Sequence, residues 1–287
     1  MHSRWTKVIL QSGGIRGVGV QLTDVVVEAC KRQKRTGREA KALGEALLAG
    51  VFLSSSCKSG EVINLTLEGS GWAKRVFVDA DGLPQVRGYL ISAEQEGAHA
   101  SEALGPWGEG FLSVLRTKGG VPYRGTIPML TGHLAKDLAY YWHQSEQIST
   151  AVGIDVELSS DGQEVKSAYG FLVQVMPGAS DEEIAAVESH LSAASGQMER
   201  FRGTEDPLGI LANLFQEESF TVLDTQSIAL KCPCDQKRVE SVLSVLPDAD
   251  LKELQEDDQA VGMHCDFCAK DFFVSQERLA EILNSRS

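Results

Sequence analysis

Two tight cysteine pairs near the carboxyl end of the chain have the residue types and spacing to do chemistry: Cys232-Pro-Cys234 and Cys265-Asp-Phe-Cys268. Thiolates are soft ligands, and four of them presented from two short loops suit the tetrahedral all-sulfur shell that Zn²⁺ prefers. The sequence therefore predicts one zinc ion per chain, bound by Cys232, Cys234, Cys265 and Cys268. Because such a shell leaves no position for water, we expect a structural or redox-sensitive metal and not a hydrolytic one.

Composition indicates the compartment. The chain has 287 residues, of which 43% are hydrophobic, but its apolar stretches are too short to span a membrane and its amino terminus lacks a secretory hydrophobic run. We therefore expect a cytoplasmic protein without a membrane partner. In a reducing compartment, paired cysteines more often serve metal or redox chemistry than permanent disulfides. Cys30 and Cys57, each alone in a helical pattern, are interpreted as small buried apolar residues.

The charge of the chain is unevenly distributed. Residues 1–178 carry equal numbers of acidic and basic side chains, so the net charge of −13 lies entirely in residues 179–287. An acidic region repels phosphate backbones, which argues against a nucleic-acid-binding zinc module and leaves it as the alternative. The basic run Lys31–Arg35 could touch nucleic acid, but it is more typical of a solvated helix end.

Periodicity predicts an α+β fold, with a largely antiparallel sheet and helices in an amino-terminal domain of residues 1–178. The glycine-rich stretch Gly13–Gly19 is interpreted as a turn. Predicted helices cover Leu22–Gln33, Arg38–Ser55 and Leu130–Gln144. Predicted strands cover Glu61–Glu68, Ala73–Asp79, Gln85–Ile91, Phe111–Arg116, Tyr123–Pro128, Thr150–Leu158 and Val165–Met176.

Enzyme motifs are absent from the sequence. It contains no Walker lysine motif, no H-E-x-x-H helix and no G-x-S-x-G elbow. His99, His133 and His143 stand alone, and no nucleophile is visibly paired with any of them. The sequence therefore predicts a protein that is not an enzyme.

Residues 179–230 are predicted to form an acidic, helical linker. A capping box begins the first helix at Ser180, and a second amphipathic stretch follows Pro207. A segment this acidic and this apolar is poorly suited to fold alone, so we expect it to lie against a neighbouring domain. It is either an ordinary connector or a conditional structure that depends on a small carboxy-terminal zinc domain, residues 231–287.

Several motifs together carry a family resemblance: Leu43–Gly50, Val86–Tyr89, Tyr123–Gly125, Ser145–Gln147 and the four-cysteine tail. The sequence resembles the redox-regulated heat-shock chaperone family of about thirty-three kilodaltons (heat shock protein 33 type) over nearly its whole length. The resemblance implies an ATP-independent stress chaperone, or holdase, that binds unfolded or misfolded client proteins and is a homodimer when active. It also implies that the reduced, zinc-bound form is inactive, and that oxidation forms the disulfides Cys232–Cys234 and Cys265–Cys268 and releases the metal.

Some questions stay open at this level. Clients could contact the exposed strands of the amino-terminal sheet or an apolar set in the linker, namely Leu208, Ile210, Leu211, Leu214 and Phe215. We expect Cys265–Cys268 to close first, because Pro233 restricts ring closure in the other pair, and we expect His264 to be a spectator. The alternative function is a static zinc ribbon that binds proteins or nucleic acid and is active only when reduced.

Overall fold

The structure is a computed structural model. It describes residues 2–82, 84–93, 104–194, 198–201, 203, 206–216, 219–256 and 259–285. The chain separates into two compact units, Met1–Lys231 and Cys232–Ser287. The three-part division predicted from the sequence stays a prediction.

The described residues of the larger unit form two sheets. One has the strand order β10-β1-β2-β9-β8, and the other has the order β11-β5-β4-β3-β6-β7. All neighbouring strands are antiparallel except β11 and β5, which are parallel. The strands are β1 Arg4–Leu10, β2 Ile15–Gln21, β3 Val62–Gly69, β4 Ala73–Asp81, β5 Gln85–Ser92, β6 Gly110–Lys118, β7 Val121–Met129, β8 Thr150–Leu158, β9 Val165–Val175, β10 Phe220–Ser227 and β11 Ala229–Leu230.

Helices fill the space around these sheets. Helix α2 is buried on nearly all sides and contacts both sheets, as its apolar sequence predicted. Gly44 and Gly50 allow this close packing, because a Cβ at either position would lie 2.8 Å or 2.5 Å from a valine methyl group. The helices of this unit are α1 Thr23–Gln33, α2 Gly37–Ser54, α3 Leu134–Tyr141, α4 Asp181–Ala194 and α5 Pro207–Phe215, with a π-helical turn at Trp142–Glu146 and a 3₁₀ turn at Met198–Phe201.

The α+β class and the seven predicted strands are confirmed, but four strands of the larger unit, β1, β2, β10 and β11, were missed. The interpretation of Gly13–Gly19 as a turn is wrong beyond Gly14, because Ile15 begins β2. Strand β1 was not predicted, and the segment predicted as a helical linker ends in β10 and β11. Strands β10 and β11 pair with strands far along the chain, which local patterns do not report, whereas β1 and β2 form a local hairpin that the glycine-rich sequence of β2 concealed.

Helix α5 lies directly on β2. A Cβ at Gly19 would lie 2.4 Å from the carbonyl oxygen of Pro207, and a Cβ at Gly17 would lie 2.8 Å from the Phe215 ring. Asp206 caps the helix by accepting a hydrogen bond from the Leu208 amide at 3.2 Å. The two glycines therefore form a groove in which the helix backbone sits against the strand.

A second hydrophobic cluster surrounds this groove. Its buried members are Val8, Leu10, Ile15, Tyr169, Phe171, Val173, Val187, Phe201, Ile210, Leu211, Leu214 and Phe215. The cluster joins α4 and α5 to β1, β2 and β9, so residues of the predicted linker lie against the sheet as expected. The apolar surface removed from water is the main stabilising contribution to this contact.

Glu45 gives the larger unit a pH-dependent stability. This half-buried side chain of α2 has its pKa raised to about 7, first by desolvation and then by the negative charge of Asp155. In the unfolded chain the carboxyl ionises near its ordinary value, about 4.3. The native state is therefore penalised progressively as pH rises from about 4.3 to about 7, and the penalty is constant above that range.

We expect Glu45→Gln to raise the free energy of unfolding at pH 8 by about 1–3 kcal/mol and to have little effect at pH 4. Urea titrations followed by tryptophan fluorescence measure this directly, because all four tryptophans, Trp5, Trp72, Trp107 and Trp142, lie in the larger unit. Glu39→Gln is the matched control. Hydrogen bonds from Ser92 and Arg35 lower the pKa of Glu39 despite an opposing desolvation, so its replacement should destabilise the protein at pH 8. A Glu45→Gln effect that is equal at both pH values would contradict the prediction.

Candidate metal centre

The smaller unit presents its cysteines from two loops. Its elements are α6 Gln236–Leu243, α7 Asp248–Glu256, β12 Val261–Cys265, β13 Lys270–Val274 and α8 Gln276–Asn284. Cys232 and Cys234 precede α6, whose first turn is capped by Asp235 accepting a hydrogen bond from the Arg238 amide at 2.7 Å. Cys265 ends β12, and Cys268 lies in the turn to β13. The cap of α6 therefore orients the first cysteine pair, and the hairpin turn between β12 and β13 orients the second.

All four sulfur atoms meet. The Sγ atom of Cys265 lies 3.1 Å from that of Cys234 and 3.8 Å from that of Cys232, and the Sγ atoms of Cys232 and Cys234 are 3.2 Å apart. The four Sγ atoms, including that of Cys268, lie within 4.8 Å of one another. Tetrahedral Zn²⁺ with Zn–S bonds of about 2.3 Å requires sulfur atoms about 3.8 Å apart. The donor set therefore fits zinc in both number and spacing.

Without a bound cation, the clustered thiols favour their protonated form. Desolvation, followed by hydrogen bonds from neighbouring thiols, raises the pKa of Cys268 to about 11 and raises that of Cys234 as well. Four thiolates this close repel one another, so protons stay on the sulfurs without a compensating charge. A divalent cation reverses the balance, because a coordinated thiol is deprotonated outright.

The unit around the cysteines has a small core. Its buried apolar members are Val239, Leu243, Leu251, Val274, Leu279 and Ile282. A core in a domain of this length rarely supplies more than ~3–5 kcal/mol, whereas apparent zinc binding contributes ~10–16 kcal/mol in small zinc domains. Folding of this unit should therefore depend on the metal.

The remaining cysteines lie elsewhere. Cys30 is buried in the larger unit, where desolvation raises its pKa to about 12. Cys57 is half-buried, and desolvation raises its pKa too. Neither belongs to the four-sulfur group. The interpretation as a small buried apolar residue in a helix is confirmed for Cys30, whereas Cys57 is only half-buried and lies beyond the end of α2 at Ser54.

The histidines give no catalytic arrangement among the described residues. His264 Nδ1 lies 2.7 Å from Asp271 Oδ1, and His264 is not a member of the four-residue group. The backbone of His133 participates in the first turn of α3, and His143 lies in the π-helical turn. His99 lies outside the described residues.

The predicted client-binding set is buried in this structure. Ile210, Leu211, Leu214 and Phe215 are fully buried on β1, β2 and β9, and Leu208 is half-buried. Exposed apolar side chains lie elsewhere, among them Phe111 and Ile91 on the outer face of the six-stranded sheet. A depression of about 330 Å³ beside Phe111 is also lined by Thr66 and Phe77.

Sequence reasoning missed the residues that hold α5 in place. Gly17 and Gly19 are two positions apart, so they lie on one face of a strand. That spacing was available as a signal, but the strand itself had not been predicted. A search of the described helices finds none long and apolar enough to cross a membrane.

Comparisons with known proteins agree with one another. The family model described as Hsp33 protein matches residues 3–275. The chain is 34% identical to a protein of Geobacter sulfurreducens named 33 kDa chaperonin, over 97% of this chain and 94% of that protein. It is 30% identical to the 33 kDa chaperonin of Bacillus cytotoxicus, over 99% of this chain and 100% of that one. These relatives are named as chaperonins and not as enzymes.

A solved structure matches the whole architecture. The crystal structure of the 33 kDa chaperonin from Thermotoga maritima, a heat shock protein 33 homologue, superposes with a TM-score of 0.86 at 27% identity. The match covers 100% of this chain and 99% of that one. With a family model and full-length relatives in agreement, the chain belongs to the Hsp33 family.

Proposed function

We propose that this protein is a redox-regulated, ATP-independent holdase of the cytoplasm that protects unfolding proteins during oxidative stress. The observation that carries the proposal is the meeting of four thiols in a unit whose own core is small. Such a unit is stable only while its cysteines bind metal, so thiol oxidation becomes a folding switch. The family membership and the chaperonin names of its relatives support the chaperone part of the proposal.

The resting state is reduced. Cys232, Cys234, Cys265 and Cys268 are the proposed ligands, and zinc, when bound, would keep their sulfurs as thiolates and tie the two loops together. The thiolate is the form that hydrogen peroxide or hypochlorous acid attacks. The same four residues therefore hold the two loops together through the metal and react with the oxidant.

Oxidation removes the ligands in pairs. Each disulfide forms when two thiolates give up two electrons, which reduce one hydrogen peroxide molecule to two waters with the uptake of two protons. We propose the pairs Cys232–Cys234 and Cys265–Cys268, because each joins neighbours in one loop. Two equivalents of oxidant then leave no thiolate to hold the metal, and residues 232–287 lose the larger part of their folding free energy.

The switch would reach the larger unit through the chain itself. Lys231, its last residue, directly precedes Cys232. Residues 179–230 carry most of the net negative charge. Melting of this segment would release α5 and expose two apolar surfaces at once: the buried face of the helix and the groove at Gly17 and Gly19. Newly exposed surface of this kind binds non-native proteins and promotes dimerisation.

Light scattering from a heat-unfolded reporter protein tests the function. We expect suppression by hypochlorite-oxidised chain, with zinc release confirmed by a chromophoric chelator, and no suppression by the reduced, zinc-loaded chain. A double variant, Cys30→Ser with Cys57→Ser, should behave as the parent chain because neither residue belongs to the sulfur cluster. Suppression by the reduced form alone would favour the static zinc ribbon.

The two disulfides should form in a fixed order. We expect Cys265–Cys268 to close first, because Pro233 fixes φ inside the other pair and restricts the small ring that Cys232 and Cys234 would close. Quenching with an alkylating reagent after sub-stoichiometric peroxide, followed by mass mapping, measures the order. Accumulation of a Cys232–Cys234 bridge ahead of the other would contradict it, and Pro233→Ala should narrow the difference between the two rates.

A further inference from the structure

Strand β5 lies next to the short strand β11 at one edge of the six-stranded sheet. The Ala229 amide donates to the Pro84 carbonyl oxygen at 3.0 Å, and the Lys231 amide donates to that of Val86 at 3.2 Å. Strand β11 has only two residues, so it covers only the beginning of β5.

Side chains from the end of α1 cover the next part of the same edge. Gln33 Nε2 donates to the Gly88 carbonyl oxygen at 2.7 Å, and an Arg35 guanidinium nitrogen donates to that of Leu90 at 2.8 Å. Two residues of the Lys31–Arg35 run therefore bond to the sheet, which the interpretation as a solvated helix end did not anticipate. An uncovered strand edge is a template for pairing with another chain, and on this one the carbonyl groups from Pro84 to Leu90 are covered.

Side chains in and beside β11 also pack against the larger unit. Ile228 is 7% exposed and belongs to the main core, which is the large hydrophobic cluster that contains most of α2, and Leu230 packs against that core. Ala229, between them, points outward and is exposed. The edge thus provides main-chain hydrogen bonds and two apolar contact sites, which Ile228 and Leu230 occupy, two positions apart. Sheets bind extended peptides by this pattern.

We propose that the edge of β5 is a strand-addition site for an extended, apolar segment of a non-native protein, and that β11 occupies it in the resting chain. The chain's own strand displays the chemistry of the ligand: backbone amides in register with β5, and apolar residues at alternate positions. Being tethered, β11 has a high effective concentration and excludes weak competitors until it leaves. Its departure after oxidation rests on the function proposed above, because Lys231 directly precedes Cys232.

A labelled peptide of residues 227–231, Ser-Ile-Ala-Leu-Lys, is the probe, and fluorescence anisotropy on the full chain is the measurement. Ala229→Pro removes the amide that donates to Pro84, whereas the matched variant Ala229→Ser keeps it. We expect the reduced, zinc-loaded Ala229→Pro chain to bind the probe at least tenfold more tightly than the parent or Ala229→Ser chain. Leu230→Asp, which weakens the side-chain seat instead, should act in the same direction and replaces Ala229→Pro if that variant does not fold.

Hydrogen exchange locates the bound probe. Probe binding should slow exchange of amides in residues 85–92, and a probe with proline at its central alanine should not bind. Equal affinity in all the reduced chains, or protection confined to β2, would overturn the proposal. So would a dimer of the Ala229→Pro chain, measured by analytical ultracentrifugation, whose formation blocks the probe, because the occupant would then be a second copy.

The redox step is tested separately by oxidised parent chain. Binding of the probe to this form supports both the site and its release by oxidation. Binding to reduced Ala229→Pro without binding to oxidised parent supports the edge site and overturns its release by the proposed switch. The edge site is therefore tested by the reduced variants, and its release by oxidation is tested by the oxidised parent chain.

Discussion

Gly19→Ala is expected to make the reduced, zinc-loaded chain an active holdase. The new Cβ would lie 2.4 Å from the carbonyl oxygen of Pro207, and this contact is with backbone that cannot rotate away. Helix α5 must therefore shift or leave β2, which uncovers apolar residues such as Leu211 and Phe215. Overpacking of this kind typically costs ~1–3 kcal/mol, which is large for a helix of 9 residues.

The measurement is reporter light scattering by reduced protein with zinc content determined in the same sample. Val18→Ala is the matched control, since Val18 is buried in the main core, whereas α5 packs on the second cluster. It should lower stability without activating the chain. Gly17→Ala should activate less than Gly19→Ala, because its Cβ would meet the Phe215 ring, which can move.

Two results would contradict the prediction. An inactive Gly19→Ala chain whose α5 amides exchange rapidly would mean that the release of α5 is insufficient for client binding. Activation by Val18→Ala to the same degree would mean that any loss of stability in the larger unit activates the protein. In either case, the packing of α5 in the groove on β2 would not be what keeps the reduced chain inactive.

Cys265→Ser is expected to unfold the smaller unit and to activate the chain without oxidant. Its sulfur lies within 4 Å of those of both Cys232 and Cys234, so its loss removes one of the two ligands by which the second loop is joined to the first. Metal binding contributes ~10–16 kcal/mol in small zinc domains, against ~3–5 kcal/mol from a core of this size. Zinc affinity should fall by several orders of magnitude, and hydrogen exchange should accelerate throughout α6, α7 and α8.

Cys57→Ser provides the control, because this half-buried thiol lies outside the sulfur cluster and should leave zinc affinity unchanged. Competition with a chromophoric chelator gives the affinities, and light scattering gives the activity. A zinc-free Cys265→Ser chain that keeps slow exchange in α6 and α8 would contradict the dependence of folding on metal. A Cys265→Ser chain that is zinc-free and unfolded in the smaller unit but inactive would mean that loss of the metal is not enough to activate the protein.

The sequence correctly indicated the elements that carry their own local pattern. Helix α2 was predicted from a nearly continuous apolar run, and β3 to β6 were predicted from alternation, because burial on one or both faces leaves its period in the sequence. Strands β1 and β10 were missed. They pair with each other although more than two hundred residues separate them, and β10 exposes most of its side chains, so neither the pairing nor a clean alternation is visible locally.

The same division holds for the functional parts. The sequence by itself determined the four candidate ligands, since chelation by close cysteine pairs is a local property that spacing and residue type specify. Only the tertiary structure decided that Gly17 and Gly19 form the seat of α5, and that Gln33, Arg35 and β11 cover the edge of β5. These contacts join residues distant along the chain, and their free energy depends on packing and strand register that only the folded chain defines.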